Sequence, residues 1–191
     1  IDVVGNVSTA KRVLRHADGP AVAPPTEPKS ITTSPAVEDA LRWLAAHQAT
    51  DGGWECAGFG RWCDGKPTQR PGPDGGGKAS YDVGVTGLAV LAFVRAGYTD
   101  RSEGPFGKVV AGGLRYLRSV QDAEGCFGPR MSGHYPYNHA IAAAAVIEAF
   151  GATRSPSLLG PASRGVAFVT LARNPTGAWR YGIQPGDSDT S

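Results

Sequence analysis

The sequence predicts an all-α chain of helical hairpins, about two and a half of them, and two observations carry that expectation. First, one pattern recurs three times in register. Ala40 to Trp54 reads ALRWLAAHQATDGGW, Gly113 to Phe127 reads GLRYLRSVQDAEGCF, and Gly165 to Trp179 reads GVAFVTLARNPTGAW. Each copy is small-x-x-aromatic-aliphatic, followed after three free positions by Gln48, Gln121 or Arg173. After three more comes Gly52, Gly125 or Gly177, then one residue, then Trp54, Phe127 or Trp179. Such self-similarity marks a repeat architecture. Second, two segments between the copies, Tyr81 to Gly97 and Tyr137 to Gly151, are apolar around the whole circumference of a helix. A helix of that kind is expected to be buried on every side.

Ser34-Pro35 opens the first element as an N-cap followed by proline at the first helical position, with Glu38 and Asp39 in the first turn. Val37, Ala40, Leu41, Leu44 and Gln48 then fall at i, i+3, i+4, i+7 and i+11, one stripe of an amphipathic helix. The motif glycine is expected to end the helix in a left-handed or turn conformation. The aromatic two residues on folds back against the helix end and is expected to be largely buried in all three copies. The Gln amide sits where the last carbonyls lack intrahelical partners, so it can bridge them to a neighbouring segment. Gln48, Trp54, Gln121, Phe127, Arg173 and Trp179 are thus read as a structural clasp between repeats.

An amphipathic outer helix precedes each apolar inner one, and Gly84 and Gly87 permit close helix approach. The order is outer, inner, outer, inner, outer. The last outer helix is placed from about Pro161 to Arg173, with Asn174-Pro175 ending it. By the spacing of the first two units, Asp189-Thr190-Ser191 is the first turn of a third inner helix that the sequence cuts off. The chain begins with Ile1 rather than Met, so the sequence reads as a piece of a longer protein. Residues 1–33, with PAVAPPTEP, read as a disordered Pro-rich linker, and 34–191 as the repeat domain.

The recurring pattern closely resembles the QW-type motif of the prenyltransferase/squalene-oxidase repeat family, which includes class II terpenoid cyclases and protein prenyltransferase beta subunits. The resemblance runs from about Ser34 to the C-terminus. It implies a partial α/α toroid, in which outer helices carrying the motif surround a ring of inner helices. It also implies either an isoprenoid-handling enzyme or a scaffold that kept the fold without the catalysis.

Composition limits the partners. The formal net charge is +2, and no run of the sequence clusters basic residues, which gives nucleic acid and anionic membrane surfaces no electrostatic support. The longest apolar run, Val83 to Val94, is too short for a membrane span. The expected partner is an apolar or isoprenoid small molecule or another protein, with self-association through exposed apolar faces. Of the three cysteines, Cys56 and Cys63 share a Gly-rich loop in which a local disulfide can form, and their spacing is not a common zinc knuckle. No cofactor is implied, and nothing in the sequence points to a compartment.

Each inner helix opens with a polar residue: Asp82, Asn138 and Asp189. Asp or Asn there is first a helix N-cap. With Tyr81, Tyr137 and His139, the first two also form the pair most suited to meet a ligand at one end of the inner helices. Class II cyclases protonate an isoprenoid with the middle carboxyl of a D-x-D-D motif, and Asp187-Ser188-Asp189-Thr190 resembles it with Ser188 at the donor position. Asp187 and Asp189 are therefore the candidate catalytic residues by resemblance. A serine hydroxyl cannot protonate an alkene at neutral pH. Protein prenyltransferases hold zinc with Asp-x-Cys and a later His. Glu124-Gly125-Cys126 resembles the first half, and His134 and His139 are the nearest histidines, too few ligands for a metal site. A more distant reading, an (α/α) carbohydrate-active enzyme, would need a carboxylate pair, for which Asp82 and Asp189 are the candidates.

Overall fold

The computed structural model describes residues 33–62 and 77–183. Among them are five α-helices and two short 3-10 turns, Phe59–Trp62 and Ala79–Tyr81, and no strand. The helices are α1 (Pro35–Ala46), α2 (Asp82–Arg95), α3 (Pro105–Ser119), α4 (Tyr135–Thr153) and α5 (Pro156–Ala172). The all-α expectation holds. The linker up to residue 32, Cys63, and the acidic Asp187-Ser188-Asp189 stretch lie outside the described residues.

α2 and α4 lie side by side and run in the same direction. A Cβ on Gly84 would strike Asn138, and one on Gly87 would sit 3.0 Å from the Ala142 backbone. Further along, Arg95 pairs with Glu148 at 2.6 Å. Glycine thus lets the two backbones touch. α3 runs opposite to α2, since Val90 faces Gly113 and Phe93 stacks edge-on with Phe106 at 5.3 Å. α5 runs opposite to α4 by the same logic, with His139 against Phe168 and Ala143 against Gly165. The core lies between these layers, around fully buried Val90, Phe93, Val110, Leu117, Phe127 and Val146. Burial of this kind contributes roughly 25 cal/mol per Å² of apolar surface removed from water.

The motif turns explain how α1, α3 and α5 follow one another. Gly52, Gly125 and Gly177 have φ of 97°, 97° and 93°, the left-handed region that a side chain would strain. In each turn the glycine N–H donates to the carbonyl three residues back, at Ala49, Asp122 and Asn174. Gln48 Nε2 donates to the Gly52 carbonyl of its own turn at 2.8 Å and to the Val109 carbonyl of α3 at 2.9 Å. Gln121 Nε2 does the same at Gly125 (3.1 Å) and at Pro161 of α5 (2.9 Å). A Cβ at Gly52 or Gly125 would collide with the backbone of Gly112 or Arg164, so the first turn is pressed against α3 and the second against α5. Among the described residues Arg173 makes the first bond and not the second, Nε to Gly177 O at 2.9 Å.

Several expectations need correction. α5 begins at Pro156, not Pro161. Pro156 supplies the first-turn proline, and Pro161 sits inside the helix, buried, with its carbonyl taken by Gln121. α4 runs past Gly151 to Thr153 and is capped by Arg154 in the left-handed conformation. Gly97 does stop α2: its N–H bonds Val94 O while Tyr98 N–H bonds Phe93 O, the paired bonds of a Schellman motif. On α1 only Leu41 is fully buried; Val37 and Ala40 are exposed, because the helix touches the rest of the chain mainly through its C-terminal end.

The motif aromatics also differ. Trp54 and Phe127 are 4 % and 0 % exposed, whereas Trp179 is 43 % exposed. Trp54 and Trp179 make the same indole bond, to Leu44 O and Val169 O at 2.8 Å each. The difference is coverage: α2 follows Trp54 and α4 follows Phe127, while no helix follows Trp179 among the described residues. Nor are the two apolar helices buried on every side. Leu88 is 55 % exposed, Tyr137 44 % and Ile147 38 %, because α1, α3 and α5 all lie on the other side of the α2–α4 pair.

Candidate functional site

The expected ligand-binding residues gather at the N-terminal ends of α2 and α4, and most of them are tied to the protein's own backbone. Asp82 is the first residue of α2, so it follows the N-cap position instead of filling it; Tyr81 stands there and its side chain caps nothing. The Asp82 carboxylate accepts from Cys56 N–H at 2.7 Å and so pins the loop after Trp54 to α2. Burial pushes its pKa up, and the charges of Glu55 and Asp51 push the same way. Burial, together with the charges of Asp82, Asp51 and Glu55, also drives the neighbouring Tyr116 phenol up to about 12.

Asn138 is not an N-cap either. It is the fourth residue of α4, and its amide donates to Ser80 O at 2.6 Å, joining the start of α4 to the start of α2. The N-cap position of α4 belongs to His134, whose side chain makes no cap bond.

His139 is buried between α5 and the second motif turn. Its Nδ1 accepts the Phe127 N–H at 3.0 Å, which leaves Nε2 as the donor to Gly165 O at 3.1 Å. Both bonds require the neutral ring with its proton on Nε2. Burial lowers the pKa to about 4, so the ring stays neutral across the physiological range. In the first unit Thr86 fills the corresponding role: its hydroxyl accepts the Trp54 N–H at 2.9 Å. Sequence reasoning passed over Thr86, although a lone hydroxyl in an apolar helix was a visible signal.

The zinc-like set is not assembled. Cys126 is fully buried, its Sγ–H points to Phe127 O at 3.8 Å, and burial raises its pKa to about 11. Glu124 is paired with Arg130 at 2.7 Å. Both nitrogens of His139 are already used. Among the described residues no three His, Cys, Asp or Glu side chains gather around a common metal position.

What remains open to solvent is aromatic. His134 stands 5.6 Å from the Tyr81 ring, 6.4 Å from Tyr137 and 6.3 Å from Tyr181, and the two tyrosines Tyr137 and Tyr181 are 6.1 Å apart. Tyr181 was not foreseen; it comes from the segment after Trp179, which has no periodicity to place it. From this aromatic group a stripe of Val85, Leu88 and Ala92 on α2 runs beside Ala140, Ile141, Ala144 and Ile147 on α4. It ends at the Arg95–Glu148 pair. Such a face can take up an apolar body at its centre and a ring or hydroxyl at its aromatic end.

No helix among the described residues is long and apolar enough to cross a membrane. Compared with family models, with curated proteins and with solved structures, the chain matches none.

Proposed function

We infer that this chain is a repeat domain of the prenyltransferase/squalene-oxidase type, a helical scaffold whose α2–α4 face holds an apolar ligand or the apolar side of a protein partner. The five helices then form part of an α/α toroid, with α2 and α4 as inner helices and α1, α3 and α5 as outer ones. The observation that supports this most is the uncovered apolar stripe between the Tyr81–His134–Tyr137–Tyr181 group and the Arg95–Glu148 pair. Large exposed apolar patches on soluble domains mark binding surfaces. The motif residues supply rigidity: Gln48 and Gln121 fix the outer helices, and His139 and Thr86 fix the inner ones to the turns.

The test is titration with an apolar fluorescent dye, followed by displacement with an isoprenoid alcohol. Leu88→Glu and Ile147→Glu should each weaken dye binding roughly ten-fold, the scale of one aliphatic side chain no longer burying a ligand. Unchanged binding in both variants, with helicity retained, overturns the reading.

The alternative is a fragment of an isoprenoid-handling enzyme. One observation favours it: Asp82, with its raised pKa, stands next to Tyr81 at the start of an inner helix. Incubation with squalene, and separately with a prenyl diphosphate and an acceptor thiol, decides between the two. Turnover lost in Asp187→Asn, Asp82→Asn or Cys126→Ala supports the enzyme, and no turnover supports the scaffold.

A further inference from the structure

The sequence shows no basic cluster, but the fold builds one on the opposite side of the molecule from the apolar stripe. α3 (PFGKVVAGGLRYLRS) and α5 (PSLLGPASRGVAFVTLA) contain no Asp or Glu between them. Their charged residues are Lys108, Arg115, Arg118 and Arg164, all exposed. The clasp from Gln121 to Pro161 lays the C-terminal half of α3 along the N-terminal half of α5. A groove opens between them, lined by Arg115, Arg118, Ser119, Ser157, Pro161 and Arg164.

Three guanidiniums and two hydroxyls thus face one cleft. Arg164 is held in position, its Nη2 donating to Gln121 Oε1 at 2.6 Å. Arg115 and Arg118, one helical turn apart, pair with no carboxylate among the described residues. The acids next in sequence, Asp122 and Glu124, are both engaged by Arg130. The groove therefore holds unneutralised positive charge, in donor groups whose planar forks match carboxylates in paired hydrogen bonds.

We propose that this groove docks an acidic segment of a partner protein. The charge distribution selects that occupant. The chain carries 19 Lys and Arg against 17 Asp and Glu, so the basic surface is a local feature. A nucleic-acid duplex or a flat anionic membrane extends well beyond the groove, whereas Arg115, Arg118 and Arg164 are gathered within it. A short acidic segment lying between the two helices meets three Arg and two Ser side chains, with Pro161 beside them, and no carboxylate. The site is independent of the apolar face, so the chain can hold a partner on one side and an apolar body on the other.

The test uses the full chain and a short fluorescently labelled poly-glutamate peptide, with a Gly/Ser peptide of equal length as the neutral control. Anisotropy should show binding of the acidic peptide only, weakening as ionic strength rises to about 0.15 M, where the Debye length is about 8 Å. Arg115→Glu with Arg118→Glu should weaken it by roughly ten-fold or more, while Arg101→Glu with Lys108→Glu, an equal charge change outside the groove, should leave it unaltered. Circular dichroism checks that each variant keeps its helices. If the double variant does not fold, Arg118→Ala alone and the salt dependence of the wild type carry the test. The proposal is overturned if the acidic peptide does not bind, or binds without salt dependence, or binds the folded double variant as well as the wild type. It is also overturned if a DNA duplex or phosphatidylserine vesicles bind through the same arginines more tightly than the peptide, or if inorganic phosphate alone displaces the peptide at equal concentration.

Discussion

The Gln121 side-chain amide donates to the carbonyl of Pro161, 40 residues away, at 2.9 Å, while the same nitrogen holds Gly125 O of its own turn. Gln48 repeats the arrangement between Gly52 and Val109. One amide thus satisfies a turn and fastens the next helix to it. Gln121→Ala leaves both carbonyls and the Arg164 guanidinium without this partner. A loss of about 1–3 kcal/mol in chemical denaturation is expected, since each hydrogen bond is worth about 1 kcal/mol and an unmet buried group costs more. Gln121→Glu should be at least as damaging, because a carboxylate cannot donate. A loss below about 0.5 kcal/mol in both would mean that the clasp does not fasten the helices.

The motif aromatics should separate by burial. Trp54→Ala removes a buried indole and is expected to cost about 3–5 kcal/mol. Trp179, exposed over almost half its surface, keeps its bond to Val169 O and the Arg173 guanidinium over its ring, 5.7 Å from the centroid, so Trp179→Ala should still cost less than Trp54→Ala. Equal losses in urea denaturation would show that Trp179 is covered in solution.

His139 makes stability depend on pH with a definite sign. Its folded pKa is lowered to about 4, while an unfolded histidine titrates near 6.5. Between these values the unfolded chain binds a proton that the folded chain does not, so stability falls as pH falls. The slope is about 1.4 kcal/mol per pH unit, full stability being present above pH 6.5 or so. A His139→Gln variant should be less stable at neutral pH and lack this part of the slope between about pH 6.5 and 4. Parallel curves for wild type and variant would show that the ring is not buried neutral.

Cys126 should be inert in the folded chain. It is fully buried, and its pKa is pushed up to about 11, so thiolate is scarce at pH 8. In a Cys56→Ser, Cys63→Ser background a disulfide reagent should label it only after denaturant is added. Prompt labelling under native conditions would place Cys126 at the surface.

The parts of the fold that could be read in the sequence were those set by local pattern. The glycine turns at Gly52, Gly125 and Gly177 follow from a backbone conformation only glycine takes easily, and Gly84 and Gly87 marked where α2 would meet a neighbour. What pattern could not give was which neighbours exist. Trp54 and Trp179 occupy the same place in the motif, and only the presence of a following helix makes one buried and the other not. An all-round apolar helix looked fully buried, yet Leu88 and Ile147 face outward because all three amphipathic helices lie on one side. Asp82 and Asn138 looked like caps because Asp and Asn cap helices. The chain instead starts α2 and α4 earlier and uses both side chains on the Cys56 N–H and the Ser80 carbonyl. Arg115, Arg118 and Arg164 are scattered in sequence and meet only through the α3–α5 contact.

The apolar stripe is the centre of the functional reading, and methyl and aromatic NMR tests it most directly. Adding an isoprenoid alcohol to the labelled chain should shift the Leu88 and Ile147 methyls and the Tyr137 and Tyr181 rings together. Leu159 and Val166, exposed on α5, should stay in place. Shifts confined to Leu159 and Val166, or no shifts at saturating ligand, would contradict the assignment of the α2–α4 face as the binding surface.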